Sequence, residues 1–75
     1  MREIKVGGRY RHFKGGEYKV LAIATHTETE ESMVVYQNLS DPDKIWVRPY
    51  DMFASPVDRT AYPHVAATYR FEEIE

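Results

Sequence analysis

Short runs of alternating apolar and polar residues, separated by turn-forming residues, extend through most of the chain. Alternation with a period of two is typical of β-strands, because successive side chains point to opposite faces of a sheet. The pattern predicts strands at residues 9–13, 18–25, 33–39, 45–48 and 69–74.

The second predicted strand carries apolar side chains on both of its faces. Its alternation places four side chains on one face and two, Leu21 and Ile23, on the other. The four are Tyr18, Val20, Ala22 and Ala24. Such a strand is expected at the centre of a sheet that bends across a small barrel.

Glycine and proline residues mark the turns between these strands. Gly15-Gly16 predicts a hairpin between the first two strands, and Asp41-Pro42 predicts a turn before the fourth. Pro49 has a fixed φ and no N–H, so the chain is expected to leave the sheet there as a turn or one helical turn. Met52 and Phe53 are then expected to fold back onto the sheet as a plug.

The chain of 75 residues is too short to supply a second layer behind a flat sheet with two apolar faces. We therefore predict one domain over residues 1–75, mainly β, with a small SH3-like open barrel of about five strands and one short helical turn. A chain this short buries only about 60% of its unfolded surface, so the core should be small.

The composition excludes several classes of chemistry. There is no cysteine, which rules out disulfides, thiolate nucleophiles and cysteine-ligated zinc. The longest aliphatic run, residues 20–24, is far too short to span a bilayer, and the first residues lack the apolar segment of a secretory signal. We expect a cytoplasmic protein with no membrane partner.

Charge is distributed unevenly along the chain. The net charge is −2, yet residues 1–20 contain six Lys or Arg and only two Glu. Residues 21–75 contain four Lys or Arg and ten Asp or Glu. The basic first part could orient the protein toward an anion, whereas the acidic total argues against extensive phosphate binding.

Several motifs occur in a fixed order along the chain. They are YRHFKG at 10–15 with YKVL at 18–21, HTET at 26–29 with VVY at 34–36, WVRP at 46–49 with Met52-Phe53, and YRF at 69–71. Together they cover nearly the whole chain and resemble the Domain of Unknown Function 1653 family. The resemblance implies a small bacterial protein, found alone or beside other domains, and it implies no particular activity.

Aromatic and basic side chains suggest where a ligand could bind. Small barrels commonly bind along a groove in which rings provide a stacking surface and Arg or Lys holds a phosphate or carboxylate. Arg48 is the foremost candidate, because the adjacent Pro49 restricts the backbone beside it. The other candidates in this groove are Tyr10, His12, Lys14, Tyr36 and Trp46. Tyr36 and Trp46 could instead belong to the core, with Arg48 paired to an acid of the 28–31 loop.

His26-Thr27-Glu28 has the H-x-E spelling of zinc deaminases, but those enzymes also need cysteine ligands. A metal site built from His12, His26 and Glu28 is conceivable, although their spacing does not demand one. The alternative is that His12 bonds to turn backbone or packs against a ring, and that His26 orders the acidic loop. We therefore include His26 and Glu28 among the candidate ligand-binding residues and predict no metal and no cofactor.

Three functions are consistent with these residues. The first is a non-catalytic binding module for a protein, peptide or small ligand, including the extended Pro-rich segments that SH3-type grooves bind. The second is binding of a nucleotide or single-stranded nucleic acid, which would be sensitive to salt. The third is a small enzyme with His12 or His26 as general base. The acidic total favours the first.

Overall fold

The computed structural model describes residues 2–74, which form five strands and one short helix. In chain order these are β1 (Arg9–His12), β2 (Glu17–Thr25), β3 (Ser32–Asn38), β4 (Ile45–Pro49), α1 (Tyr50–Phe53) and β5 (Phe71–Ile74). The prediction of a mainly β fold with about five strands and one helical turn is confirmed.

All five strands belong to one antiparallel sheet in the order β4-β3-β2-β1-β5. Three consecutive hairpin connections give the β1-β2-β3-β4 part, and the last strand returns to pair with β1, so that His12 faces Phe71. Among residues 2–74, β4 and β5 do not pair with each other, so the sheet is open. This arrangement is compatible with the predicted SH3-like barrel.

The hairpin between β1 and β2 depends on its two glycines. Gly15 and Gly16 have φ angles of 107° and 87°, which side chains with a Cβ rarely adopt. The tight turn lets His12 N–H donate to the Gly16 carbonyl at 3.1 Å. Beyond the turn, Phe13 N–H donates to the Arg70 carbonyl at 3.0 Å, which ties the hairpin to the segment before β5.

The alternation predicted for β2 is wrong beyond Val20, because a register shift between Val20 and Ala22 inserts a bulge. Val20 pairs with Tyr36, yet the next inward-facing residue is Ile23, which pairs with Val34. A bulge adds one residue to a strand and so exchanges the faces of the residues that follow it. Ala22 consequently lies on the outer face, where it pairs with Val35.

The core consists largely of stacked aromatic rings. Phe53, from α1, is fully buried and lies parallel to Phe71, with their ring centroids 4.1 Å apart. Tyr10 and Tyr36 pack against Phe53 edge-on, at 5.5 and 5.2 Å. The predicted plug is therefore formed by Phe53, whereas the prediction for Met52 is wrong, because its side chain is half exposed.

The segment between α1 and β5 contains no regular secondary structure apart from a single bridge between Pro56 and Tyr69. Arg59 holds this loop by donating to the carbonyls of Val65 and Ala67. The last strand begins at Phe71, two residues later than predicted, because the Glu72 carboxylate accepts the N–H groups of residues 68 and 69. No helix within residues 2–74 has the length and apolar character that crossing a bilayer requires.

Candidate functional site

A cavity of about 240 Å³ lies at one end of the inner face of the sheet, and we call it the aromatic cup. All five strands contribute to it, so the folded sheet, rather than any one motif, creates the cavity. The cup is lined by His12, Tyr18, Tyr36, Trp46, Arg48 and Phe71.

Three rings form its floor in mutual edge-to-face contact. Tyr18, Tyr36 and Phe71 have centroids 5.5 to 5.7 Å apart and ring planes inclined by 70° to 78°. This geometry places the positive edge of one ring against the negative face of the next. The floor is consequently rigid and apolar.

Tyr36 and Trp46 are directly opposite each other on β3 and β4, and they have different roles. Tyr36 is only 5% exposed and belongs to the core, whereas Trp46 is 46% exposed. An aromatic ring on this exposed edge offers a surface on which a flat group can stack. The sequence left both positions open between core and groove. Tyr36 is buried in the core and forms part of the cup floor, whereas Trp46 is half exposed beside it.

Arg48 lies at the rim of the cup without a carboxylate partner. Its guanidinium carbon is 5.3 Å from the centroid of the Phe71 ring, a cation–π contact that orients the group. Within residues 2–74 there are four ion pairs, and none includes Arg48. The pairing with the 28–31 loop considered from the sequence is therefore not formed. The guanidinium retains donors for an external anion.

His12 supplies a second donor beside this arginine. Its ring stacks on Phe13 and meets Phe71 edge-on, with centroid distances of 4.7 and 4.8 Å. The Nδ1 atom accepts the Lys14 N–H at 3.1 Å, so in the neutral ring Nε2 bears the proton.

The surroundings of His12 favour its neutral form. Burial lowers the pKa of His12, and the positive charges of Arg48, Arg70 and Lys14 lower the pKa further. The same three cations make the neighbourhood electropositive, and no acidic residue lines the cup. A neutral His12 can therefore donate a hydrogen bond while Arg48 supplies the charge.

The remaining candidate residues lie outside the cup. Tyr10 is 1% exposed in the core, and its hydroxyl accepts the Lys5 N–H at 3.0 Å. Lys14 lies on the neighbouring turn with its ammonium 4.7 Å from the centroid of the Tyr62 ring. The structure thus brings together four of the eight candidates, His12, Tyr36, Trp46 and Arg48.

His26 and Glu28 lie at the far end of β2, roughly 25 Å along the strand from the β1–β2 turn. His26 Nδ1 accepts the N–H groups of Glu28 and Thr29 at 3.1 and 3.2 Å, which is the turn role considered from the sequence. His12 and His26 are therefore too far apart to share a metal ion. No group of three potential metal ligands occurs in the described part of the chain.

Tyr18 and Phe71 belong to the cup but were not among the sequence candidates. Tyr18 had a local signal, since it begins a strand next to a predicted hairpin turn. Phe71 reaches the cup because β5 pairs with β1 across nearly the whole chain, and no local pattern encodes that pairing.

Two larger cavities, of about 530 and 480 Å³, share Arg2 in their linings. Its guanidinium donates to the carbonyl of Phe71 at 2.7 Å and lies 4.1 Å from the Tyr69 ring centroid. Arg2 therefore already has protein partners, whereas Arg48 at the aromatic cup has no ion-pair or hydrogen-bond partner for its guanidinium among residues 2–74.

No curated protein and no solved structure matches the chain significantly. A family model described as "Protein of unknown function (DUF1653)" matches residues 8–73, which include every residue of the cup. The match confirms the resemblance seen in the motifs. The chain belongs to the DUF1653 family of proteins of unknown function.

Proposed function

We propose that the protein is a non-catalytic binding module whose aromatic cup holds a carboxylate attached to a flat or apolar group, as part of a peptide or small ligand. The observation that supports this most directly is the Arg48 guanidinium, without an ion-pair partner among residues 2–74, held over Phe71 at the rim of a cavity with a floor of aromatic rings. Charge-assisted hydrogen bonds from such a group are stronger than neutral ones.

The size of the cup favours a small group over a complete nucleotide. Its volume of about 240 Å³ is below the range of roughly 300–1,000 Å³ that is usual for whole-ligand pockets. A single ring or side chain bearing a carboxylate fits this limit better than a base, sugar and phosphate together.

Binding of a nucleotide or single-stranded nucleic acid is the second candidate, because the exposed Trp46 ring beside Arg48 could stack on a base. The basic residues in the first part of the chain support nucleic-acid binding less than their number suggests. Arg9 and Arg11 both pair with Glu17, and Lys5 pairs with Glu73. These side chains are therefore partly neutralised within the fold.

A general base at His12 is the least supported of the three. The Nδ1 lone pair is already engaged by the Lys14 N–H, so the neutral ring offers a donor and not an acceptor to the cup.

The proposal is tested by amide and imidazole NMR titrations with benzoate and with benzamide, which has a similar shape and no charge. We expect benzoate to shift His12, Trp46 and Arg48 and to bind at least about tenfold more tightly than benzamide, since a charged hydrogen bond contributes about 1.5–3 kcal/mol. Arg48→Gln should abolish the difference.

The control is Arg9→Gln, which removes one positive charge from the same sheet outside the cup and should preserve the preference for benzoate. Equal binding of the two compounds, or shifts confined to other surfaces, would contradict the proposal. Adenosine monophosphate and a short oligothymidine are titrated in parallel. Tighter, strongly salt-dependent binding of either would favour the nucleic-acid alternative.

A further inference from the structure

Strand β4 (Ile45–Pro49) is an edge of the sheet, and its outer side has no partner strand among residues 2–74. Asn38 N–H donates to the Lys44 carbonyl at 3.0 Å, which fixes the phase of the β3–β4 ladder. Because hydrogen-bonded and non-hydrogen-bonded pairs alternate, Trp46 and Arg48 direct their backbone groups toward β3. Ile45 and Val47 direct theirs to the open edge.

The two faces of this edge differ in character. Trp46 and Arg48 place their side chains in the aromatic cup, on the inner face. Ile45 and Val47 lie on the outer face, where they are 56% and 60% exposed. Natural edges usually carry charges, proline or bulges that discourage pairing. Here the charged residue, Arg48, lies on the inner face and Pro49 stands only at the end of the strand, so the outer face of residues 45–47 is apolar.

We infer that β4 accepts an extended acidic peptide as an additional strand, with one acidic side chain in the aromatic cup against Arg48. The inference rests on the proposed function of the cup and adds the backbone pairing that brings the carboxylate there. Strand addition of this kind uses main-chain hydrogen bonds for affinity and alternate side chains for specificity.

The register of the edge specifies the pattern of the peptide. A residue opposite Arg48 points to the inner face, about 4.5–5.5 Å from it between Cβ atoms, whereas its neighbours point to the outer face. An acid at that position therefore meets the unpaired guanidinium. The peptide residues one and three positions from this acid, on the same side of it, lie opposite Val47 and Ile45, and apolar side chains there cover these two exposed residues.

Charge complementarity favours an acidic peptide over a second copy of this chain. Strand β4 contains no acidic residue, so pairing of two β4 strands would place no carboxylate in either cup. It would also bring two Arg48 guanidinium groups toward the same seam without a counter-charge. A peptide with an acid and with apolar residues one and three positions from it on one side satisfies both faces at once.

The test begins with selection from a random peptide library displayed on phage, followed by amide hydrogen exchange of the wild-type protein with a selected synthetic peptide. We expect the selected sequences to share an acid with apolar residues one and three positions away on the same side. The peptide should slow exchange at Ile45 and Val47 by about tenfold or more, because both amides gain an acceptor. Trp46 and Arg48, already bonded to β3, should change much less.

Two substitutions separate the backbone contribution from that of the side chain. Val47→Pro removes the backbone N–H of residue 47, which points to the edge, where proline is tolerated. It should weaken binding of the peptide by about tenfold or more. Val47→Thr retains that N–H and a side chain of similar shape, and should weaken binding of the peptide much less. Benzoate binding by Val47→Pro verifies that the cup and fold are intact.

Four results would overturn the inference. They are selection of no peptide, selected peptides without the alternating acid, shifts in the cup without protection at Ile45 and Val47, and protection that rises with protein concentration in the absence of peptide. The last would assign the edge to a second copy. Because benzoate binding is measured independently, each can occur while the proposed function of the cup stands.

Discussion

Two histidines, His12 at the end of β1 and His26 just after β2, make the same local contact in different surroundings. His12 Nδ1 accepts the N–H of the residue two positions on, Lys14, at 3.1 Å. His26 Nδ1 accepts the N–H of Glu28, also two positions on, at 3.1 Å. In each case the imidazole replaces a backbone acceptor and stabilises the turn that follows.

Their tertiary surroundings distinguish them. His12 packs between Phe13 and Phe71, and cations surround it. His26 precedes an exposed acidic loop and has no aromatic neighbour among residues 2–74. The comparison shows that the same residue and local bond become part of a candidate site only where distant strands supply rings and charge. The following experiments test that difference, beginning with the largest expected effect.

The first prediction compares side-chain truncation at the two ends. Phe71→Ala should lower the free energy of unfolding by about 3–5 kcal/mol, because it removes a fully buried ring that contacts Phe53 at 4.1 Å. Ile23→Ala, toward the far end, should cost about 1 kcal/mol, since that side chain already keeps over a third of its surface in water. Urea denaturation measures both.

A domain this small could be largely unfolded by Phe71→Ala. Phe71→Leu then provides the comparison, because it retains much of the apolar volume and should cost under about 2 kcal/mol. Equal losses at Phe71 and Ile23 would show that the rings of the cup do not dominate the core.

The second prediction concerns pH. The pKa of His12 in the folded protein is below its ordinary value of 6.5, so between the two pKa values the unfolded chain binds more protons. The stability contributed by neutral His12 is therefore fully present above about pH 6.5 and declines as the pH falls through the folded pKa. Thermal unfolding from about pH 7.5 to about pH 5 should show this loss.

His12→Asn is the informative variant, because its Oδ1 can still accept the Lys14 N–H while it does not titrate in this range. It should flatten the pH dependence. His26→Asn makes the equivalent change at the far turn, leaves His12 and its neighbouring cations in place, and should retain the wild-type dependence. The same slope in all three proteins would refute the assignment to His12.

The smallest predicted effect concerns the backbone of the far loop. The turn near the cup uses glycine at positive φ, whereas the loop after His26 places Glu30 at a φ of 62°. A residue with a Cβ is strained there, and Asn tolerates this region better. Glu30→Asn should raise the free energy of unfolding by about 0.5 kcal/mol.

Glu30→Gln is the control, because it removes the same negative charge from the acidic loop and leaves the backbone strain. Equal stabilisation by both variants would attribute the gain to charge. A loss of stability with Asn would contradict the strain argument.

The parts of the fold that were predictable from the sequence depend on neighbouring residues. Gly15-Gly16 implies a hairpin because only glycine adopts both observed φ angles readily. Pro49 ends β4 and precedes the helical turn because it fixes φ and cannot donate to a ladder. Four of the cup residues were candidates because aromatic and basic side chains commonly line the binding grooves of small barrels.

The unpredicted features depend on contacts between distant residues. The alternation of residues does not reveal the bulge at Leu21, because both faces of β2 are apolar and a shift by one residue leaves the pattern almost unchanged. Whether Tyr36 or Trp46 is buried depends on Phe53 and Phe71, which pack against only the first of them. The lowered pKa of His12 likewise results from burial of its ring and from the approach of Arg48 and Arg70, both of which follow only once the sheet has formed.

The position of Trp46 has a practical consequence. It is the single tryptophan of the chain, and it lies at the rim of the cup, half exposed, whereas the aromatic residues of the core are tyrosine and phenylalanine. Fluorescence excited selectively at tryptophan therefore originates from the cup and not from the interior. The protein contains its own optical reporter of cup occupancy, which needs no label and is distinct from the tyrosine signal of the packed core.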